Sequence, residues 1–410
     1  MHTRRRLLAF AALCGIAGCF DDTPDEPATE TDEPRSPATD DRVRDSSPAD
    51  SEDEAEDEDE AEEVDPEEAT DQLVDSINAF STAVLAELAS DRSTDNVFAS
   101  PLSISLALAM VWAGSRGETE TEMADVLQYP HGQQPTHPAF EALEQSFAAI
   151  PDSADAEEQL QLTIANAMWG EATFPFEDAY LETLEQHYGA PIREADLKNN
   201  PDRVRGAIND WVATETDENI TELIPKDGLG DPDDDEYVTT VLANAVYFLA
   251  DWKYTFEEED TDDHPFRTLE GAETSVRMMH GEFSLPYAQV DGVQVVELPY
   301  VGERMRMTVV LPPEGTFESF RDGLTGDRLT ELIDATTSRD GSLSLPRFEF
   351  STRVELSAVL EAMGMQTVFT PGDRPNRNVR RNRRVIGSKS RRVSRSCLPR
   401  GVRHCRRSRY

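Results

Sequence analysis

Lysine is nearly missing from this chain. Of 410 residues only Lys198, Lys226, Lys253 and Lys389 are lysine, and 38 bases in all face 82 acids, for a net charge of −44. A surface this acidic repels itself in dilute salt. At molar salt the Debye length falls to about 3 Å and the repulsion is screened, so the composition points to a salt-rich source. The deficit of bases argues against a nucleic-acid partner, whose phosphates need Lys and Arg footprints, and none is expected. Cysteine is scarce too: Cys14, Cys19, Cys397 and Cys405 lie near the two ends. The body between them can build neither a disulfide framework nor a Cys-rich metal site. Beyond the N-terminus no apolar run is long enough to cross a membrane. There is also no G-x-S-x-G, no H-E-x-x-H and no phosphate-cradling glycine loop. Ser115 lacks the spacing of a nucleophile elbow, and His137, His187, His264 and His280 are scattered. Asp231, Asp233 and Asp235 alternate like the start of a calcium loop, but Glu236 and Leu242 stand where that loop needs Gly and Glu. No catalytic residue, metal site or cofactor is expected.

What is present divides the chain into four parts. Residues 1–19 read as an export signal. Arg4, Arg5 and Arg6 precede an apolar run from Leu7 to Ala17, a pattern compatible with twin-arginine export. Ile16-Ala17-Gly18-Cys19 then resembles a lipoprotein box, with Cys19 acylated; a plain signal peptide is the alternative. The expected location is extracellular, with the outer face of the membrane reached through lipid on Cys19 alone. Residues 20–70 read as an acidic, disordered linker, since 24 acids fall within 21–70 and such a segment cannot bury enough apolar surface to offset its ordering entropy.

Residues 71–372 form the body. Leu73, Val74, Ile77, Phe80, Val84, Leu85 and Leu88 have the spacing of an amphipathic helix. Ser103 to Trp112 is apolar on all sides, which predicts a central buried helix. Thr119–Leu127 and Tyr180–Tyr188 read as further helices. Tyr237–Phe248, Val293–Leu298, Met305–Leu311 and Leu343–Phe350 are β-rich runs bounded by turn residues. Helices early and antiparallel-looking strands late predict an α+β domain. Asn219-Ile-Thr221 is a glycosylation acceptor by pattern.

Along this body a colinear series of motifs resembles the serpins, the serine protease inhibitor superfamily. It begins at Asn96-Val-Phe-Ala-Ser-Pro-Leu-Ser-Ile-Ser-Leu-Ala-Leu-Ala-Met and Gly114-Ser-Arg-Gly-Glu-Thr119. It continues through Leu162-Thr-Ile-Ala-Asn166, Trp169, Ile208-Asn-Asp-Trp211, Asn244-Ala-Val-Tyr-Phe248, Trp252, Phe256, Val276-Arg-Met-Met279, Glu297-Leu-Pro-Tyr300, Leu345-Pro-Arg-Phe348 and Met363-Gly-Met365. With the leader and the acidity, the chain resembles an exported serpin of haloarchaeal type. The resemblance implies one α+β domain of about three β-sheets with surrounding helices. It also implies an exposed reactive-centre loop that a serine protease, or a cysteine protease, cleaves and that then inserts into the main sheet. Ser100, Ser103 and Asn244 match the family's shutter, the polar cluster beneath the strands that part. Ser100 read without the resemblance is a turn or cap before Pro101. Trp252 matches the breach where the loop enters, and is equally an ordinary buried aromatic.

After Thr370-Pro371-Gly372 the match is expected to stop. Residues 373–410 hold 15 bases and one acid, and neither small-residue hinge nor bait bond can be named. The segment reads as a frameshifted tail; a basic arm that binds nucleic acid or an anionic surface and a tail folding back on the acidic linker are the alternatives. By composition it is expected to be disordered. Without the loop and the C-terminal strands, the expected chain exposes apolar surface, aggregates and inhibits nothing. The alternative function is that of a non-inhibitory serpin-fold binding protein at the cell surface.

Overall fold

The computed structural model describes residues 64–90, 96–150, 160–230, 238–369 and 387–393. Cys19, Asp231, Asp233, Asp235 and most of the basic tail lie outside them.

Helix α1 (Pro66–Ser90) opens where the linker was expected to continue. The acids there belong to a helix start: Asp65 Oδ1 accepts from the N–H groups of Glu67 and Glu68 at 3.0 and 3.3 Å. Pro66 supplies a first position needing no donor, and Glu67 and Glu68 sit at the positive end of the helix dipole. Residues 66–70, expected to belong to the linker, are therefore helical. Helix α2 (Pro101–Ala113) contains no charged residue and buries Leu102, Ile104, Leu106, Leu108, Met110 and Trp112. Around it lie α3 (Glu118–Leu127), α4 (Gln133–Ala148) and α5 (Asp178–Tyr188). Gly117 adopts φ +63° at the α2–α3 turn, where a side chain would be strained. Composition did not reveal α4, because Pro135 and Pro138 punctuate its first turns.

A three-stranded sheet in the order β2-β1-β3 joins β1 (Leu160–Glu171), β2 (Ile192–Ala195) and β3 (Thr240–Ala250). β1 runs parallel to β2 and antiparallel to β3, with Asn166 directly opposite Asn244. Alternation along the strands divides their side chains between two cores. Met168, with Ile164 and Leu242, packs into the core that holds α1, α2, α4 and α5. Ala167, Trp169, Val241 and Ala243 face the core made with Val204 and Ile208 of α6 (Pro201–Glu215). Gly170 keeps these layers close, since a Cβ there would lie 2.7 Å from Ile192 and 2.8 Å from Phe176.

A second, five-stranded sheet is built on β5 (Glu273–Val290), which pairs with β4 (Thr261–Arg267), β6 (Val293–Pro299) and β8 (Thr337–Pro346), while β7 (Arg306–Leu311) lies beyond β6. Helices α7 (Phe317–Asp322) and α8 (Gly326–Asp334) join β7 to β8. The run expected as one strand at Leu343–Phe350 is two: β8 ends at Pro346 and β9 (Glu349–Glu355) begins a separate pairing. Helix α9 (Leu356–Met363) follows. Within the basic tail, β10 (Gly387–Val393) pairs antiparallel with β9, so those seven residues depart from the expected disorder. Ladder bonds come from backbone, and a segment free of proline can supply them whatever its charge. The helices and the three sheets realise the α+β class. The expected apolar exposure is not seen among the described residues, where Leu269 and Leu311 are the exposed large hydrophobics.

One carboxylate anchors the end of α9. Glu122 Oε2 on α3 accepts from Gln366 N at 2.8 Å, Thr367 N at 2.6 Å and Thr367 Oγ1 at 2.8 Å. The Thr367 backbone bond in particular holds its pKa below 4.5. A lowered folded-state pKa means stability that is present above pH 4.5 and lost as acid titrates the native carboxylate. Glu122→Gln should destabilise by roughly 1 kcal/mol at pH 7, solvent screening reducing the 1.5–3 kcal/mol typical of a bond to a charged group. In urea titrations in molar KCl the difference from wild type should shrink below pH 4; a constant difference would contradict the tether.

Candidate functional site

The centre of the β1–β3 pair is where the polar residues collect. α2 starts at Ser100, whose Oγ accepts from Ser103 N–H at 3.4 Å, so the capping role read for Ser100 is real. One turn into the helix, Ser103 Oγ donates to Asn244 Oδ1. Asn244 Nδ2 donates to Asn166 Oδ1 at 2.7 Å. Asn166 Nδ2 in turn donates to Glu144 Oε1 at 2.7 Å and to the Tyr188 carbonyl at 3.0 Å. The result is a directional relay, Ser103→Asn244→Asn166→Glu144, crossing from α2 through β3 and β1 to α4. Each amide uses its oxygen toward one neighbour and its nitrogen toward the next. Half-buried amides need such partners, because an unpaired one costs about 1–3 kcal/mol.

The structure thus brings Ser100, Ser103 and Asn244 together. It adds Asn166, Glu144 and the end of α5, to which no role had been given. A signal for both missed side chains was present. Asn166 is a lone amide in the apolar run Ile164-Ala-Asn-Ala-Met168. Glu144 interrupts the stripe Phe140, Leu143, Phe147 at helical spacing.

Around Glu144 lies a second polar group. His187 Nδ1 contacts Glu141 Oε2 at 2.9 Å, and His137 Nδ1 contacts the Tyr188 hydroxyl at 2.7 Å. The two imidazoles stack with centroids 6.3 Å apart. Burial first, then the charges of His187 and Arg116, press the His137 pKa down to about 4, so this ring is neutral at pH 7. Burial raises the Tyr188 phenol well above 10.

Trp252 lies eight residues beyond Asn244, just past the end of β3. It bridges to Tyr300 at the end of β6 and packs edge-on to Phe256, 5.8 Å between centroids. Its indole N–H is buried with no hydrogen-bond partner among the described residues. It therefore belongs to the apolar cluster of Phe248, Phe256 and Tyr300 and not to the relay. Asn219, the glycosylation acceptor by pattern, is half-buried and donates from Nδ2 to the Thr216 carbonyl at 2.9 Å.

One nucleophile-like arrangement occurs elsewhere. On β5, His280 places Nδ1 2.8 Å from Ser344 Oγ and Nε2 3.3 Å from Asp262 Oδ1. Asp262 is mostly exposed, and these residues sit mid-strand in ladders that engage the backbone amides.

Asn166→Ala and Asn244→Ala should each destabilise by about 1–3 kcal/mol. Because each leaves the same partner chain broken, their effects should be non-additive by about 0.5–3 kcal/mol in a double-mutant cycle. Strict additivity would dissolve the relay into independent bonds.

The family model described as Serpin (serine protease inhibitor) matches residues 75–386, fourteen residues past Gly372, where the match was expected to stop. An uncharacterized serpin-like protein of Thermococcus kodakarensis is 33% identical over 301 residues, covering 73% of this chain and 67% of its own. Serpin B10 of Otolemur garnettii is 32% identical over 321 residues, 73% of this chain and 80% of the relative. Mouse antithrombin-III is 31% identical over 297 residues, 71% and 62% of the two chains. Among solved structures, emu ovalbumin superposes with a TM-score of 0.66 at 26% identity, over 73% of this chain and 79% of that one. With the sheets and helices described and the relay in the β1–β3 pair, these matches mean that the chain belongs to the serpin family.

Proposed function

We propose that this chain descends from protease-trapping serpins acting on serine proteases outside the cell, cysteine proteases being a second target class, and that it traps none as its sequence stands. Serpins generally target serine proteases. Trapping in that family needs a cleavable loop that becomes a strand of the main sheet, and a bed that lets strands part. The carrying observation is the bed: a polar relay lies beneath β3, and among the described residues β3 pairs with β1 alone. Hydrogen bonds can be exchanged one for another as strands separate, whereas interlocked apolar side chains resist separation. Against activity stands residues 373–410, with 15 bases and no run of small residues. The second reading, a non-inhibitory binding protein, draws on the likeness to ovalbumin, since ovalbumin-like members do not inhibit.

The reading includes a location. Lipid on Cys19 would hold the protein at the outer face of the membrane, with no further membrane segment and no nucleic-acid contact. Among the described residues no helix is long and apolar enough to cross a membrane.

Incubation with trypsin-, chymotrypsin- and subtilisin-like proteases should give cleavage or no reaction, and no stoichiometric SDS-resistant complex. Such a complex would overturn the inactive reading. In a cell that exports the chain, wild type should partition into detergent and Cys19→Ser into the aqueous phase; equal partitioning removes the anchor.

A further inference from the structure

The relay has two unlike ends. It begins at a serine hydroxyl, which both donates and accepts, and finishes at a carboxyl whose role depends on its proton. As carboxylate, Glu144 can only accept, and its bond from Asn166 is charge-assisted. As acid, it still accepts through its carbonyl oxygen but carries an O–H that itself needs an acceptor. We propose that Glu144 is a proton-controlled latch on this relay, so that the hold of α2 and α4 on the β1–β3 pair depends on pH.

The surroundings decide where the latch operates. On α4, Glu141 lies one turn before Glu144 and adds like charge, but its own carboxylate is taken by His187 from α5. From α5 come the Tyr188 carbonyl and His187; the Tyr188 hydroxyl is turned to His137. β1 contributes the uncharged Asn166, and its one acid, Glu171 at the strand end, accepts from Thr173 and the Lys198 amide. α2 contains no ionisable residue, and the one on β3, Tyr247, turns its hydroxyl to Asp217 at 3.5 Å. The buried face of α1 holds none either, its acids Glu67, Glu68, Asp71, Asp75 and Glu87 lying outside it. Glu144 thus meets amides, apolar surface and like charge, and forms no ion pair among the described residues. Burial dominates: it raises the carboxyl to about 7, the Asn166 bond pulling down and Glu141 pushing up.

The sign follows from linkage. Below pH 4.5 both native and unfolded chains hold this proton. Between 4.5 and about 7 the native chain holds it and the unfolded chain releases it, so stability falls as pH rises. Above about 7 the carboxylate is ionised in its bed; its bond from Asn166 is then the stronger one but does not offset the hydration lost to burial, the larger effect, so opening the contact is favoured. The latch is therefore closed in mild acid and strained in base, the reverse of the Glu122 tether. This inference concerns the relay and stands whether or not the chain inhibits a protease.

The test compares full-length wild type with Glu144→Gln, and with Glu144→Leu should the first fold poorly, in molar KCl. Denaturant unfolding from pH 4.5 to 8.5 should show the wild-type unfolding constant rising several-fold per pH unit between about pH 5 and 7 relative to either variant, with tenfold per unit the one-proton ceiling. Hydrogen exchange, corrected for the intrinsic pH effect, should show β1 and β3 opening more above pH 7 in wild type while β5 and β8 do not differ from the variants. Parallel unfolding profiles would remove Glu144 as the titrating group. Divergent profiles with unchanged β1 and β3 exchange would overturn the latch, leaving Glu144 as a buried acid without control of the sheet.

Discussion

Two asparagines face each other in the middle of a sheet that is covered by apolar side chains on both sides, and the architecture depends on how they are satisfied. Asn166 and Asn244 stand in register, with α2 pressed against them and Met168 and Leu242 beside them in the core. An amide in that position must find all its partners locally or destabilise the domain. The solution ties α2, β3, β1 and α4 into one line of hydrogen bonds. It also explains why α2 carries Ser103 on a charge-free, mostly apolar helix: the helix has to be buried, and the sheet above it requires a donor.

Much of the fold was legible in local sequence. The spacing from Leu73 to Leu88, the charge-free run in α2 and the β-rich stretches at Val293 and Met305 each became the element their periodicity predicts, because packing and propensity agree there. The failures have physical causes. Pro135 and Pro138 hid α4. The long β5 was missed because it alternates weakly, its partners changing from β4 to β8 to β6 along its length. The acids before Leu73 looked like linker, whereas Asp65, Glu67 and Glu68 serve a helix N-terminus. At the site, motif matching found Ser100, Ser103 and Asn244. Asn166 and Glu144 required the structure, since nothing local says that an amide on one strand will be aimed at an acid on a helix 22 residues away.

The chain handles its acidity in two ways. On the surface, carboxylates are spread, and few meet bases: Lys253 with Glu303, Arg267 with Glu314 and Arg328 with Asp291 and Glu331 are exposed pairs, each worth little on its own. Elsewhere, from the buried Glu297 to the partly exposed Glu122 and Glu144, an acid is kept where it does a structural job. Glu297 is buried against Arg306 and Thr336, Glu122 holds the turn after α9, and Glu144 closes the relay. The first two are satisfied by donors; the third is held by a single amide and, among the described residues, pairs with no cation.

The central claim is that the relay makes α2, β1 and β3 one cooperative unit. Native-state amide hydrogen exchange in low denaturant measures this most directly. The account predicts that the slowest amides of α2, β1 and β3 open with a common free energy and a common denaturant dependence, and that Asn244→Ala lowers all of them together. If β3 opened on its own, with α2 and β1 unaffected by that substitution, the asparagines would be local bonds and the account would be wrong.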